Sequence, residues 1–191
     1  SKGVSYLDAP VSGGSWGAIQ GTLAIMVGGD EAALQRVLPV FQAMGQSITY
    51  MGPSGAGQVT KLVNQVLVAV TLSGVSEALV FAAKAGADLF KTIEAVKGGA
   101  AGSWQLANLG PRIVKGDFAP GFMVKLQLKD LRLILEMAQE LHLPMPVTAM
   151  VTQLYRAAEV DGKGECGTQA VATVLERLAG VEARQVPPPG A

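Results

Sequence analysis

Hydrophobic residues in the first fifty positions come in short runs with glycine close to one end or both: Val4-Ser-Tyr-Leu7, Leu23-Ala-Ile-Met-Val27 and Ser47-Ile-Thr-Tyr50. Short apolar runs bounded by turn residues predict buried strands. Between the second and third runs, Asp30 precedes Leu34, Val37, Leu38 and Phe41, the spacing of a capped helix with one apolar face. Three strands and one helix make an incomplete sheet. From Gly55 the period turns helical and stays so. A first helix is predicted over 56–86, about 45 Å long at ~1.5 Å per residue, with Gly86 as its stop. Asp88 caps a second helix to about Lys97, glycines break the chain over 98–102, and a shorter helix runs from Ser103 into Leu109. After a loop at 116–121, a helix over 122–141 repeats leucine at helical spacing. Pro144 and Pro146 reset the chain before a helix over 147–160, 161–164 is a turn, and Thr168 caps a last helix to Leu178. Residues 181–191, ending Pro-Pro-Pro-Gly-Ala, are expected to be a disordered tail.

Composition narrows the function. With 191 residues, 49% of them hydrophobic, the chain can build a real core in one or two domains. Lys+Arg and Asp+Glu are both 15, and no basic stripe interleaves with aromatics, which excludes nucleic acid as a partner. A mean hydropathy of +0.35 is high for a soluble monomer and points to a surface that faces another subunit. The single cysteine, Cys166, excludes an internal disulfide and a cysteine-rich metal site. The single histidine, His142, sits in Glu-Leu-His-Leu-Pro at a helix end, which argues against a Ser-His-Asp triad. The chain opens without an initiator Met or a signal-type apolar run, and its most hydrophobic stretch, 62–83, is interrupted by Asn64, Gln65, Ser73, Ser76 and Glu77. That pattern predicts a buried helix and no membrane span, with the cytoplasm as default compartment.

Candidate chemistry starts at Lys61, in Gly52-Pro-Ser-Gly55-Ala-Gly57-Gln-Val-Thr-Lys61-Leu-Val-Asn64. An ammonium near the start of an apolar helix opposes the macrodipole and is costly to bury, so its pKa should fall toward the range of a general acid. Asn64 and Gln65, at i+3 and i+4, project to the same side, a set suited to an oxyanion or a substrate hydroxyl. The plainer alternative is a solvated lysine beside a helix-start asparagine. Asp8-Ala-Pro-Val-Ser12-Gly13-Gly14 follows a strand; its amides and the Ser12 hydroxyl can converge on a carboxylate or phosphate, or it is only a tight strand-end turn. The glycines at 52, 55 and 57 reverse the order of the dinucleotide fingerprint, which argues against a cofactor phosphate there; they read instead as room for Lys61 to approach a substrate. Lys129-Asp130 by itself is an ordinary charged stripe on a helix, and Trp104 and Phe122 beside glycine loops are ordinary core aromatics.

Taken together, four segments in order resemble the β-hydroxyacid dehydrogenase family. They are Asp8-Ala-Pro-Val-Ser-Gly-Gly14, Gly21-Thr-Leu…Met26-Val-Gly-Gly29, Gly52-x-x-Gly-x-Gly-x-x-x-Lys61-x-x-Asn64 and Lys129-Asp130-Leu131. Its members include 3-hydroxyisobutyrate dehydrogenase and tartronate semialdehyde (2-hydroxy-3-oxopropionate) reductase, and 60–65, 76–79 and 98–103 look closest to the latter. The resemblance implies an α/β segment followed by an all-α one. Residues 1–54 would be the C-terminal strands of a Rossmann-type NAD(P)-binding domain, and 55–86 a long inter-domain helix. Residues 87–180 would form a helical-bundle domain for substrate and dimerisation, similar to the C-terminal half of 6-phosphogluconate dehydrogenase.

The implied reaction is NAD- or NADP-dependent interconversion of a 3-hydroxy acid and its semialdehyde. Lys61 would be the catalytic acid and base, while Ser12, Gly13, Gly14, Asn64, Gln65 and Phe122 would bind substrate. Lys129 and Asp130 would serve the cofactor; no metal is implied. A homodimer or homotetramer is the expected assembly. The family's opening Gly-x-Gly-x-x-Gly turn has no counterpart here, so the chain is expected to be truncated and, alone, inactive and a weak binder of cofactor. A non-catalytic oligomerisation module derived from the same fold is the alternative; a scaffold has no use for Lys61. An imine reductase shares the fold but lacks the lysine.

Overall fold

The structure, a computed structural model, describes residues 3–186. A short sheet is followed by a mostly helical region, and the described residues fall into two compact units, one ending at Gln65 and the other beginning at Val66. The division lies inside a helix, rather than at the glycine turn before it.

The first unit is built around β3 (Leu23–Gly29), whose residues 25–28 are all buried. A strand buried on both faces needs a continuous apolar run, and Leu-Ala-Ile-Met-Val supplies it. Two dipeptides, β1 (Leu7–Asp8) and β2 (Val11–Ser12), lie antiparallel to β3 in one unbroken register: Leu7 faces Gly29, Asp8 Gly28, Val11 Ile25 and Ser12 Ala24. The ladder lapses at Ala9-Pro10 because proline has no N–H to give, yet the Pro10 carbonyl still accepts from Met26 N at 3.0 Å. The sequence expectation of a strand over 4–7 is corrected: Val4 and Tyr6 stay exposed, and pairing starts at Leu7. Parallel to β3 on its other edge runs β4 (Gly45–Gly52). Helix α2 (Glu31–Met44) is capped by Asp30, which accepts from Ala33 N at 2.6 Å. Its Leu34, Leu38 and Phe41 close the core over Leu23, Ile25 and Val27.

Helix α1 (Gly14–Gln20) was not expected. Only Gly17 of it is buried, while Trp16 and Ile19 are 69% and 76% exposed, so it carries no apolar period to read.

Helix α3 (Ala56–Lys84) is long and apolar enough, by length and composition, to cross a membrane. Its buried positions Gln65, Ala69, Leu72, Ser76 and Leu79 repeat every three or four residues, the face of a core helix. The second unit continues with α4 (Leu89–Lys97), capped by Asp88, and α5 (Trp104–Asn108), capped by Ser103. Helix α6 (Gly110–Lys115) turns off at Leu109 and ends at the left-handed Gly116. Helices α7 (Val124–Glu140) and α8 (Pro146–Ala158) bury Leu131, Ile134, Val151 and Tyr155. Thr168 does not cap an α-helix: a 3₁₀ turn (Thr168–Val171) leads into α9 (Ala172–Ala179).

The expected disorder from residue 181 is also corrected. Ala183 is fully buried, Arg184 pairs with Glu176 through both its terminal nitrogens, and Gln185 bonds Val114 O and Leu89 N. Proline content at the far end masked these anchors; residues 187–191 lie outside the described residues.

Candidate functional site

Lys61 sits in the second turn of α3, and its Nζ donates to the Val11 carbonyl at 2.8 Å. Val11 immediately precedes Ser12, Gly13 and Gly14, so the ammonium lies beside the turn that sequence pattern singled out. Gly13 (φ 130°) and Gly14 (φ 60°) both occupy the positive-φ region, where a side chain is strained, and this lets the chain turn sharply from β2 into α1. Val11 O and the lysine therefore meet at the end of a ladder whose register is fixed on both sides.

The N-terminus of α3 is held by Asp8. Its carboxylate, with 4% of the residue exposed, accepts from Gly55 N at 2.7 Å and Gln58 N at 3.1 Å. The Gly55 amide, helped by that of Gln58, holds this carboxyl below the usual carboxylate range; burial works in the opposite direction and loses. A Cβ on Gly57 would lie 2.4 Å from Met26 O and 2.8 Å from Asp8 Oδ2, so only glycine permits this approach of α3 to β3. The glycines were expected to make room for a substrate. Gly57 makes room for Asp8, and the Gly55 amide that a phosphate loop would offer is already given to an internal carboxylate. That turn does not fit a cofactor diphosphate, in keeping with its reversed glycine order.

Sequence reasoning missed Asp8 as part of this arrangement. The available signal was an ionisable residue at the end of an otherwise apolar strand run, which demands a buried partner.

Asn64 and Gln65 are engaged with each other: Asn64 Nδ2 donates to Gln65 Oε1 at 2.8 Å, and Gln65 is only 3% exposed. Asn64 is half-buried, one turn beyond Lys61. Phe122, Lys129 and Asp130 belong to the second unit. Phe122 is half-buried and its carbonyl accepts from Thr168 N at 2.9 Å. Lys129 Nζ pairs with the adjacent Asp130 carboxylate at 2.8 Å; Asp130 is nearly buried and Lys129 half-exposed. Among the described residues no group of three or more His, Cys, Asp or Glu could hold a metal ion.

A protein family described as NAD-binding of NADP-dependent 3-hydroxyisobutyrate dehydrogenase matches residues 55–175. The NAD-binding domain of 6-phosphogluconate dehydrogenase matches residues 1–52. The chain is 46% identical over 177 residues to the 2-hydroxy-3-oxopropionate reductase of Escherichia coli (strain K12), covering 93% of this chain and 61% of the reductase. It is also 46% identical to a probable mitochondrial 3-hydroxyisobutyrate dehydrogenase-like protein of Arabidopsis thaliana, covering 93% of this chain and 53% of that protein. A crystal structure of 3-hydroxyisobutyrate dehydrogenase from Salmonella typhimurium superposes with a TM-score of 0.83 at 33% identity, covering 89% of this chain and 60% of that one. The chain thus spans about 60% of the length of the E. coli reductase and the Salmonella dehydrogenase. With its two family matches end to end and its motifs in register, the chain belongs to the β-hydroxyacid dehydrogenase family.

Proposed function

We propose that this chain carries the proton-transfer and substrate-binding part of an NAD(P)-dependent enzyme that interconverts a 3-hydroxy acid and its semialdehyde. The observation that carries the reading is the Lys61 ammonium at 2.8 Å from Val11 O, beside the Ser12-Gly13-Gly14 turn. Lys61 protonates the developing alkoxide in reduction and takes the proton back in oxidation. The Ser12 hydroxyl and the Gly13 and Gly14 amides hold the substrate carboxylate. Asn64, steadied by Gln65, orients the substrate, and Phe122 is assigned to substrate binding by the family resemblance alone. Lys129, steadied by Asp130, meets an anionic group of the cofactor. The nicotinamide cofactor, NAD or NADP, supplies or takes the hydride. The substrate class is a semialdehyde of the 2-hydroxy-3-oxopropionate or 3-hydroxyisobutyrate type, supported by equal 46% identity to a reductase of the first kind and a dehydrogenase-like protein of the second.

The test is reduction of tartronate semialdehyde and methylmalonate semialdehyde with NADH and with NADPH. It is run on this chain and on this chain joined to the part of the E. coli reductase that it does not match. Turnover is expected from the joined protein, with kcat at least ~100-fold lower for Lys61→Ala, the scale of a lost general acid. Absence of turnover with every pair, or near wild-type turnover by Lys61→Ala, overturns the reading.

A further inference from the structure

Asp8 has no place in the chemistry above, yet it is the most enclosed carboxylate of the first unit. A carboxylate removed from water is costly unless hydrogen bonds replace its hydration. Asp8 receives two, from Gly55 and Gln58, amides at the start of α3 that have no acceptor within the helix. The positive end of the helix dipole favours the same charge. Space around it is closed: a Cβ on Gly28 would lie 2.7 Å from both Asp8 oxygens, and one on Gly57 2.8 Å from Oδ2. The carboxylate is therefore shut between β3 and α3 and directed at the helix.

The spacing ties this contact to Lys61. Asp8 and Val11 are three residues apart on the strand line; Gln58 and Lys61 are three apart on α3. Asp8 takes Gln58 N, and Val11 O takes Lys61 Nζ. Three strand residues advance about 10 Å, three helical residues about 4.5 Å, and the long lysine side chain spans the difference. The first two turns of α3 are thus clamped at two points along residues 8–11.

We propose that Asp8 is the positioning residue for Lys61: it fixes the start of α3 against the strand so that the ammonium is delivered to the Ser12 turn. The functional weight of this rests on Lys61 being the proton donor; the geometric statement does not.

The experiment uses this chain with isotope labelling, its Lys61 side-chain resonances assigned with Lys61→Arg. In Asp8→Ala, exchange of the Gly55 and Gln58 amides should speed at least about tenfold. The Lys61 Nζ and Cε signals should move to those of a lysine in the denatured chain and lose their cross-peaks to Val11, while Val27 amide exchange in the core of β3 is unchanged. Asp8→Asn keeps one acceptor oxygen and should move the Lys61 signals partway. Should Asp8→Ala fail to fold, Asp8→Asn decides. Lys61 signals that stay at their wild-type positions in the folded variant overturn the proposal. None of these readouts requires turnover, so failure of the dehydrogenase reading would appear in the Lys61→Ala assay and leave this result standing.

Discussion

At the scale of single residues, a carboxyl that gains amide donors only on folding couples stability to pH. The folded Asp8 carboxyl titrates below its ordinary value, chiefly through Gly55 N, so its contribution is fully present above the unfolded pKa of ~3.9 and is lost as pH falls through the lower, folded value. Thermal melts should show stability steady from neutral pH down to about 5 and declining below ~3.9. The Asp8→Asn protein should show a shallower decline; an identical one would remove Asp8 from the coupling. Lys61 and the Ser12 turn stood out in the sequence because glycines and a cation in an apolar helix are anomalies, and the structure places the two side by side. Asp8 was not, since its partners are backbone amides 47 and 50 residues away, which no local pattern records. Gln65 read as a polar neighbour of Lys61, but it is buried and turned to Asn64.

Elements were legible where period and cap agreed. Asp30 and Asp88 each cap the helix that their positions predicted, because a short acceptor before an apolar repeat has one local use, and Ser103, expected only as the start of a helix, proves to be its cap. The 3₁₀ turn at Thr168–Val171 escaped, being buried at every position and so without a polar face to mark it. The junction of α3 with β3 depends on one missing side chain. Gly57→Ala would force a methyl to within 2.4 Å of the Met26 carbonyl, a backbone atom that cannot swing aside. The expected cost is about 1–3 kcal/mol, the range for overpacking a well-fitted contact, read as a lower denaturant midpoint with unchanged slope. Full stability in that variant would mean that α3 shifts without penalty.

For the molecule as a whole, the hydrophobic patterning indicated a sheet followed by helices and the family resemblance gave the same order, but neither revealed how residues 181–186 are used. Arg184 lies 4.9 Å over the Phe118 ring and pairs with Glu176, whose side chain is 6% exposed, while its guanidinium donates to the Ile113 carbonyl of α6 and the Gln185 amide to the Val114 carbonyl. Arg184→Ala leaves a nearly buried carboxylate without its cation. The expected loss is about 2–4 kcal/mol, below the ~3–5 of a fully buried pair because Arg184 keeps a quarter of its side-chain surface in water. Chemical denaturation measures it, and a change below about 0.5 kcal/mol would show the pair to behave as a surface one. Sequence alone hid this strap because a proline-rich ending and a short anchored stretch share one composition.

The single register of residues 7–12 along β3 has a geometric corollary. Side chains and carbonyls alternate sides along a strand, so adding or deleting one residue at Ala9-Pro10 would turn Val11 and Ser12 over. An added residue in an exposed stretch such as 98–102 disturbs no strand register, but the count from Asp8 to Ser12 is fixed by geometry. It is a fixed ruler between the clamp on α3 and the turn where Lys61 arrives.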